Sequence, residues 1–208
     1  MSQLIACKND HGIVLAADSK MIGFQPDGAM VELKVEALVP LSRHAAILAG
    51  GTVEAADMCK ALKTFIHDEG LDDIQDIYSA ALPFLGGEYE RFMRKKCEQL
   101  PLDPLHNIFF ILAGHSAKDA ENPFQLYLLW TKKKLPQLDG DQINLAYAVP
   151  RRMGLEYSLN QLCKENAPLE QVFRKAREGM EKLGEKVEEV GAPFSYVTIS
   201  REGLQKVG

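Results

Sequence analysis

The chain has 208 residues, 46% of them hydrophobic and 25% charged. Both fractions are those of a globular protein and exclude a disordered or collagen-like chain. A formal net charge of -5 argues against a surface built for nucleic-acid phosphates. No apolar run approaches the ~20 residues of a membrane helix, and the first residues lack a secretory pattern, so neither a membrane nor a secreted location is expected.

Residues 3–8 alternate in hydropathy and predict a strand. Asn9-Asp10-His11-Gly12 is a turn signal, and Gly12–Ala17 predicts a second strand ending at Asp18, so the chain opens on a hairpin. A turn is expected over Phe24–Gly28. Val31–Leu41 and Ala45–Leu48 predict two more strands, the second closed by Gly50-Gly51. From Thr52 the period changes. Ala55, Met58, Cys59, Leu62, Phe65 and Ile66 form a helical stripe between an N-cap at Thr52 and a stop at Gly70. A longer helical stretch runs from Ile74 through Ile77, Ala81, Leu85 and Phe92 to Cys97. Pro83 and Gly86-Gly87 predict that it kinks or splits, and Pro101 and Pro104 that it ends.

Ile108–Leu112 and Phe124–Trp130 predict strands. Lys132–Lys134 and Asp139-Gly140-Asp141 flank an expected loop, with another strand at Ile143–Val149. Met153–Cys163 and Pro168–Val190 predict two helices. Gly191-Ala192-Pro193 breaks the second, and Phe194–Ser200 is the last expected strand. Helix pairs between blocks of strands imply an α+β fold: two packed, mainly antiparallel sheets covered by helices on both outer faces, in one domain over residues 1–208.

Cys7, Cys59, Cys97 and Cys163 are far apart, with no CxxC and no Cys/His pair at metal-ligand spacing. They read as reduced core thiols of a cytoplasmic protein. The five histidines are equally scattered, and neither a metal nor an organic cofactor is called for.

The chemistry concentrates near the N-terminus. Removal of Met1 would leave Ser2 with a hydroxyl and a free α-amine on one residue. An α-amine has an ordinary pKa of about 7.7–8.0, so it can act as base for its own hydroxyl. The hairpin returns Asp18 to the vicinity of Ser2. A lysine on an adjacent strand, Lys34, would favour a developing alkoxide, with Asp18 holding its ammonium. Gly50, before Gly51 and a helix, can present an N–H to an oxyanion. Singly, each residue has a structural role available: Asp18 as a turn acceptor, Lys34 as an exposed strand residue, Gly50-Gly51 as a corner. Their joint register carries the chemical reading.

That register resembles the N-terminal portion of proteasome-type β subunits, members of the N-terminal-nucleophile (Ntn) hydrolases, and in particular the bacterial ancestral β-subunit (Anbu) group. The matching pieces are Gly12-Ile13-Val14-Leu15-Ala16-Ala17-Asp18-Ser19-Lys20, Leu33-Lys34-Val35, and Leu48-Ala49-Gly50-Gly51 followed by Ala55-Ala56-Asp57. The resemblance implies a four-layer αββα sandwich and amide-bond hydrolysis. It assigns Ser2 as nucleophile, Asp18 and Lys34 as its charged support and Gly50 as oxyanion donor. It also implies a peptide or protein substrate and a homo-oligomer, as a ring or helical stack; an ATP-dependent unfoldase partner is left open. The chain departs from the pattern in carrying serine rather than threonine first and about two extra residues near Ser42-Arg43. It has Pro150-Arg151-Arg152-Met153 where a late serine is expected, and Glu188, Glu189 and Ser195 where an Asp…Ser pair is expected. Two alternatives stay open: a catalytically silent assembly protein of the same fold, and an Ntn amidohydrolase acting on a small amide.

Overall fold

The computed structural model describes residues 2–24, 29–97, 108–131 and 138–207. The expected turn residues 25–28, the prolines at 101 and 104 and the lysines at 132–134 lie outside the described residues. The strands are β1 (Leu4–Asn9), β2 (Gly12–Asp18), β3 (Lys20–Phe24), β4 (Met30–Lys34), β5 (Leu38–Pro40) and β6 (Ala45–Gly50), then β7 (Phe109–His115), β8 (Phe124–Thr131), β9 (Leu138–Ile143) and β10 (Ala146–Val149), and finally β11 (Phe194–Ser200) and β12 (Gly203–Val207). The helices are α1 (Val53–Asp68), α2 (Ile74–Cys97), α3 (Met153–Lys164) and α4 (Leu169–Lys186).

Two five-stranded sheets form, in the orders β10-β1-β2-β11-β12 and β5-β6-β7-β8-β9, with β3-β4 as a separate ribbon. Every pairing is antiparallel. Successive strand side chains face opposite ways, and three core layers follow. Leu4, Ala6, Ile13 and Leu15 of the first sheet meet Leu48, Ile111 and Leu126 of the second between the sheets. Ile5, Cys7, Val14 and Ala16 face outward onto Leu159, Val172, Ala176 and Met180 of α3 and α4. On the far side Ile47, Phe110 and Leu112 pack on Cys59, Leu62 and Ile66 of α1 and Ile77, Ala81 and Leu85 of α2. The result is the four-layer αββα sandwich. β1, β2 and β6 are buried on both faces, which explains their continuous apolar runs.

The structure corrects several boundaries. Val31–Leu41 is two strands, because the backbone changes partner: the Val35 N–H donates to the carbonyl of Ser19, just before the ribbon, whereas the Ala37 carbonyl accepts from Ala49 of the sheet. Ile143–Val149 divides in the same way, β9 pairing with β8 in one sheet and β10 with β1 in the other. Asp139-Gly140-Asp141 is not a loop flank but the middle of β9. Gly140 lets the Tyr78 hydroxyl lie close over the strand, since a Cβ there would stand 2.6 Å from it. α2 runs through Pro83 and both glycines without dividing. α4 ends at Lys186 rather than Val190, with Val187 already extended and Val190 turned into the core. β3 and β12 were not expected.

Candidate active site

The β1–β2 register pairs Leu4 with Ala17 and so brings Asp18 level with Gln3. The Asp18 N–H donates to the Gln3 carbonyl at 3.2 Å, and the Gln3 N–H donates to Asp18 Oδ1 at 2.9 Å. The Gly191 N–H, from the segment after α4, donates to Asp18 Oδ2 at 3.1 Å. Ser2 is fully buried, and its hydroxyl donates to the Lys20 carbonyl at 3.0 Å. Asp18 is only 1% exposed. Burial pushes its carboxyl up to about 6, against the opposing pull of the donors from Gly191, Gln3 and Ser2.

Gly50 ends β6 against the start of β1: a Cβ there would lie 3.0 Å from Leu4 Cδ1. Gly51 follows at φ +107°, a backbone conformation that favours glycine and turns the chain into α1. Ser2, Asp18 and the end of β6 are thus gathered at one end of the two packed sheets. Two hydroxyls buried nearby in the chain, Ser19 Oγ beside Asp18 and Thr52 Oγ1 beside Gly51, have no hydrogen-bond partner. A buried unpaired hydroxyl is costly, and it is a place where a polar ligand atom can be received.

Lys34 does not join this group. It ends β4 with an exposed side chain, and Asp18 takes its hydrogen bonds from the Gln3 and Gly191 amides instead. The ribbon register sets Lys34 opposite Lys20. Directly opposed strand residues share a face, so the two like charges repel. Lys20 is held by Glu32 at 3.0 Å and by the Glu188 carbonyl at 2.6 Å.

Sequence reasoning missed three neighbours of this site. Gln3 was absorbed into the strand pattern, Gly191 was read only as a helix breaker, and Arg152 only as a departure. Arg152 Nε donates to Gln3 Oε1 at 2.8 Å, filling the region where a serine was expected. Among the described residues Cys7, Cys59 and Cys163 are buried free thiols, and no cluster of His, Cys, Asp or Glu could hold a metal ion. No described helix is long and apolar enough to cross a membrane.

The layer order defines a four-layer αββα sandwich. Among solved structures the chain is similar to Anbu (ancestral beta-subunit) from Yersinia bercovieri, with a TM-score of 0.68 over 99% of this chain and 86% of that one, at 14% sequence identity. At that identity the likeness is one of fold. No family model and no curated protein matches the sequence.

Proposed function

We propose that the chain is an N-terminal-nucleophile hydrolase of amide bonds, one domain over residues 1–208, acting on a peptide or protein substrate within a cytoplasmic homo-oligomer. The observation that carries this reading is the buried Ser2 at the head of β1, one residue before Gln3, whose backbone exchanges hydrogen bonds with Asp18, a carboxylate that two backbone amides hold in place. Once Met1 is removed, Ser2 attacks the scissile carbonyl. Its α-amine takes the hydroxyl proton and returns it to the leaving amine, and water then releases the acyl ester. The Gly50 N–H serves the oxyanion, and Ser19 and Thr52 offer hydroxyls to the substrate backbone. The resemblance assigns Lys34 to favour the developing alkoxide.

The test begins with the intact mass of the protein from its native host, where loss of Met1 is expected. A panel of fluorogenic peptides and small amides should then show turnover that Ser2→Ala reduces by about 10³-fold or more. Lys34→Met should do likewise, while Lys20→Met should retain activity. Full retention of Met1 together with inertness across the panel would sink the reading. Preference for small amides over every peptide would move the substrate class and leave the nucleophile in place. The exposed Lys34 favours a second reading, a catalytically silent assembly protein, for which the same panel stays blank while the oligomer forms.

A further inference from the structure

Gln3 is fully buried, yet it is polar and sits at the head of a strand whose other buried side chains are mostly apolar. Its side chain is held on three sides. Nε2 donates to the Pro150 carbonyl at 3.0 Å and to the Leu4 carbonyl at 3.3 Å, and Oε1 accepts from Arg152 Nε at 2.8 Å. Its backbone is held as well, exchanging two hydrogen bonds with Asp18.

Arg152 is anchored in turn. It caps the N-terminus of α3, and its own N–H donates to Glu156 Oε1 at 2.9 Å while its carbonyl accepts from the Glu156 N–H at 2.9 Å. The carbonyl bond is the first of the helix, and the Glu156 carboxylate reaching back to the Arg152 N–H fixes the backbone at that end, leaving the Arg152 side chain free to meet Gln3. Glu156 is 3% exposed, and its carboxylate is closed by Arg151, whose Nη2 lies 2.7 Å from Oε2 and whose guanidinium stacks over Tyr147.

A buried polar chain of this kind is costly unless every member is paired, and when paired it selects one geometry where an apolar contact would allow several. Ser2 is joined to Gln3 by one planar peptide, so immobilising Gln3 leaves Ser2 little beyond its own torsions. We propose that Arg152 is a positioning residue for the Ser2 nucleophile, acting through Gln3. This rests on the hydrolase reading above and adds to it the group that replaces the expected serine.

The experiment uses protein that begins at Ser2, released from a cleavable N-terminal fusion. Arg152→Gln is expected to lower kcat on the best amide of the panel by about 10²-fold, with KM changed by less than about twofold. Arg152→Lys keeps a donor for Gln3 Oε1 and should recover most of the loss. Because both residues act through one hydrogen bond, the double variant Arg152→Gln with Gln3→Met should lose no more than the worse single variant. Equal losses in Arg152→Gln and Arg152→Lys that track a falling Tm, or additive losses in the double variant, would overturn the proposal.

A second arm needs no turnover. Carbon-13 NMR follows the Asp18 carboxyl, which accepts from the Gln3 and Gly191 amides and feels the positive chain terminus, a charge common to wild type and variant. Releasing Gln3 weakens its donation, so the Asp18 titration should move to higher pH in Arg152→Gln. An unchanged titration would overturn the proposal. Wild-type protein that cleaves no amide would defeat the hydrolase reading, and this arm would still decide whether Arg152 sets the geometry beside Ser2.

Discussion

Burial of Asp18 links the site to stability. Its carboxyl is pushed from an ordinary value of 3.8 to about 6 in the folded protein. Between about pH 4 and pH 6 the folded chain therefore holds a proton that the unfolded chain has released. Stability is greatest below this window, falls as pH rises through it, and carries the full cost above it, on the order of 3 kcal/mol. Asp18→Asn retains an acceptor for the Gln3 N–H and removes the ionisation. Urea midpoints from pH 4 to pH 7 should show the variant gaining on the wild type as pH rises; a constant difference would show that Asp18 titrates normally. At the other end of the hairpin, Gly12 stands at φ +149°, and a Cβ would lie 2.4 Å from the Ile199 carbonyl oxygen. Gly12→Ala should push β2 away from β11 and lower Tm by about 5–10 °C in a thermal melt.

Among the elements, α2 shows local propensity overridden by packing. Pro83 is exposed inside the helix and offers no N–H to the preceding turn, while Gly87 is exposed with nothing within 4 Å of an added Cβ. The helix persists because Ile77, Ala81, Leu85 and Tyr89 hold one buried face against the sheet of β5–β9. Gly87→Ala should accordingly stabilise the protein by about 1 kcal/mol, and Pro83→Ala by up to about 3 kcal/mol, both read from denaturant midpoints. A loss of stability in Pro83→Ala would show that the helix shape imposed by proline is needed for that packing.

The whole molecule is two sheets that share one core and are sealed outside by helix pairs. Strands buried on both faces leave the sheet ends as the place where polar groups gather, and Ser2, Asp18 and Gly50 lie there. The proposed function carries a prediction at this scale. Size-exclusion chromatography with light scattering should return a mass several times that of one chain at micromolar concentration, and Ser2→Ala should leave it unchanged. A strict monomer would contradict the assembly. An oligomer that dissociates in Ser2→Ala would make Ser2 part of the interface.

By itself the sequence determined the opening hairpin, all four helices and the alternation of strand and helix blocks, because hydropathy period, turn residues and breakers act within a few positions. It also determined that Asp18 returns to the start of β1, since a tight hairpin leaves the strand ends nowhere else to go. Only the tertiary structure decided where Val31–Leu41 and Ile143–Val149 change sheets, because an apolar run records burial and not which neighbour takes its hydrogen bonds. The same holds at the site. Gln3 meets Arg152 across 149 positions and Asp18 meets Gly191 across 173, while Lys34 faces away. Such contacts depend on how layers stack and which way a strand residue points, and no local pattern in the chain encodes either.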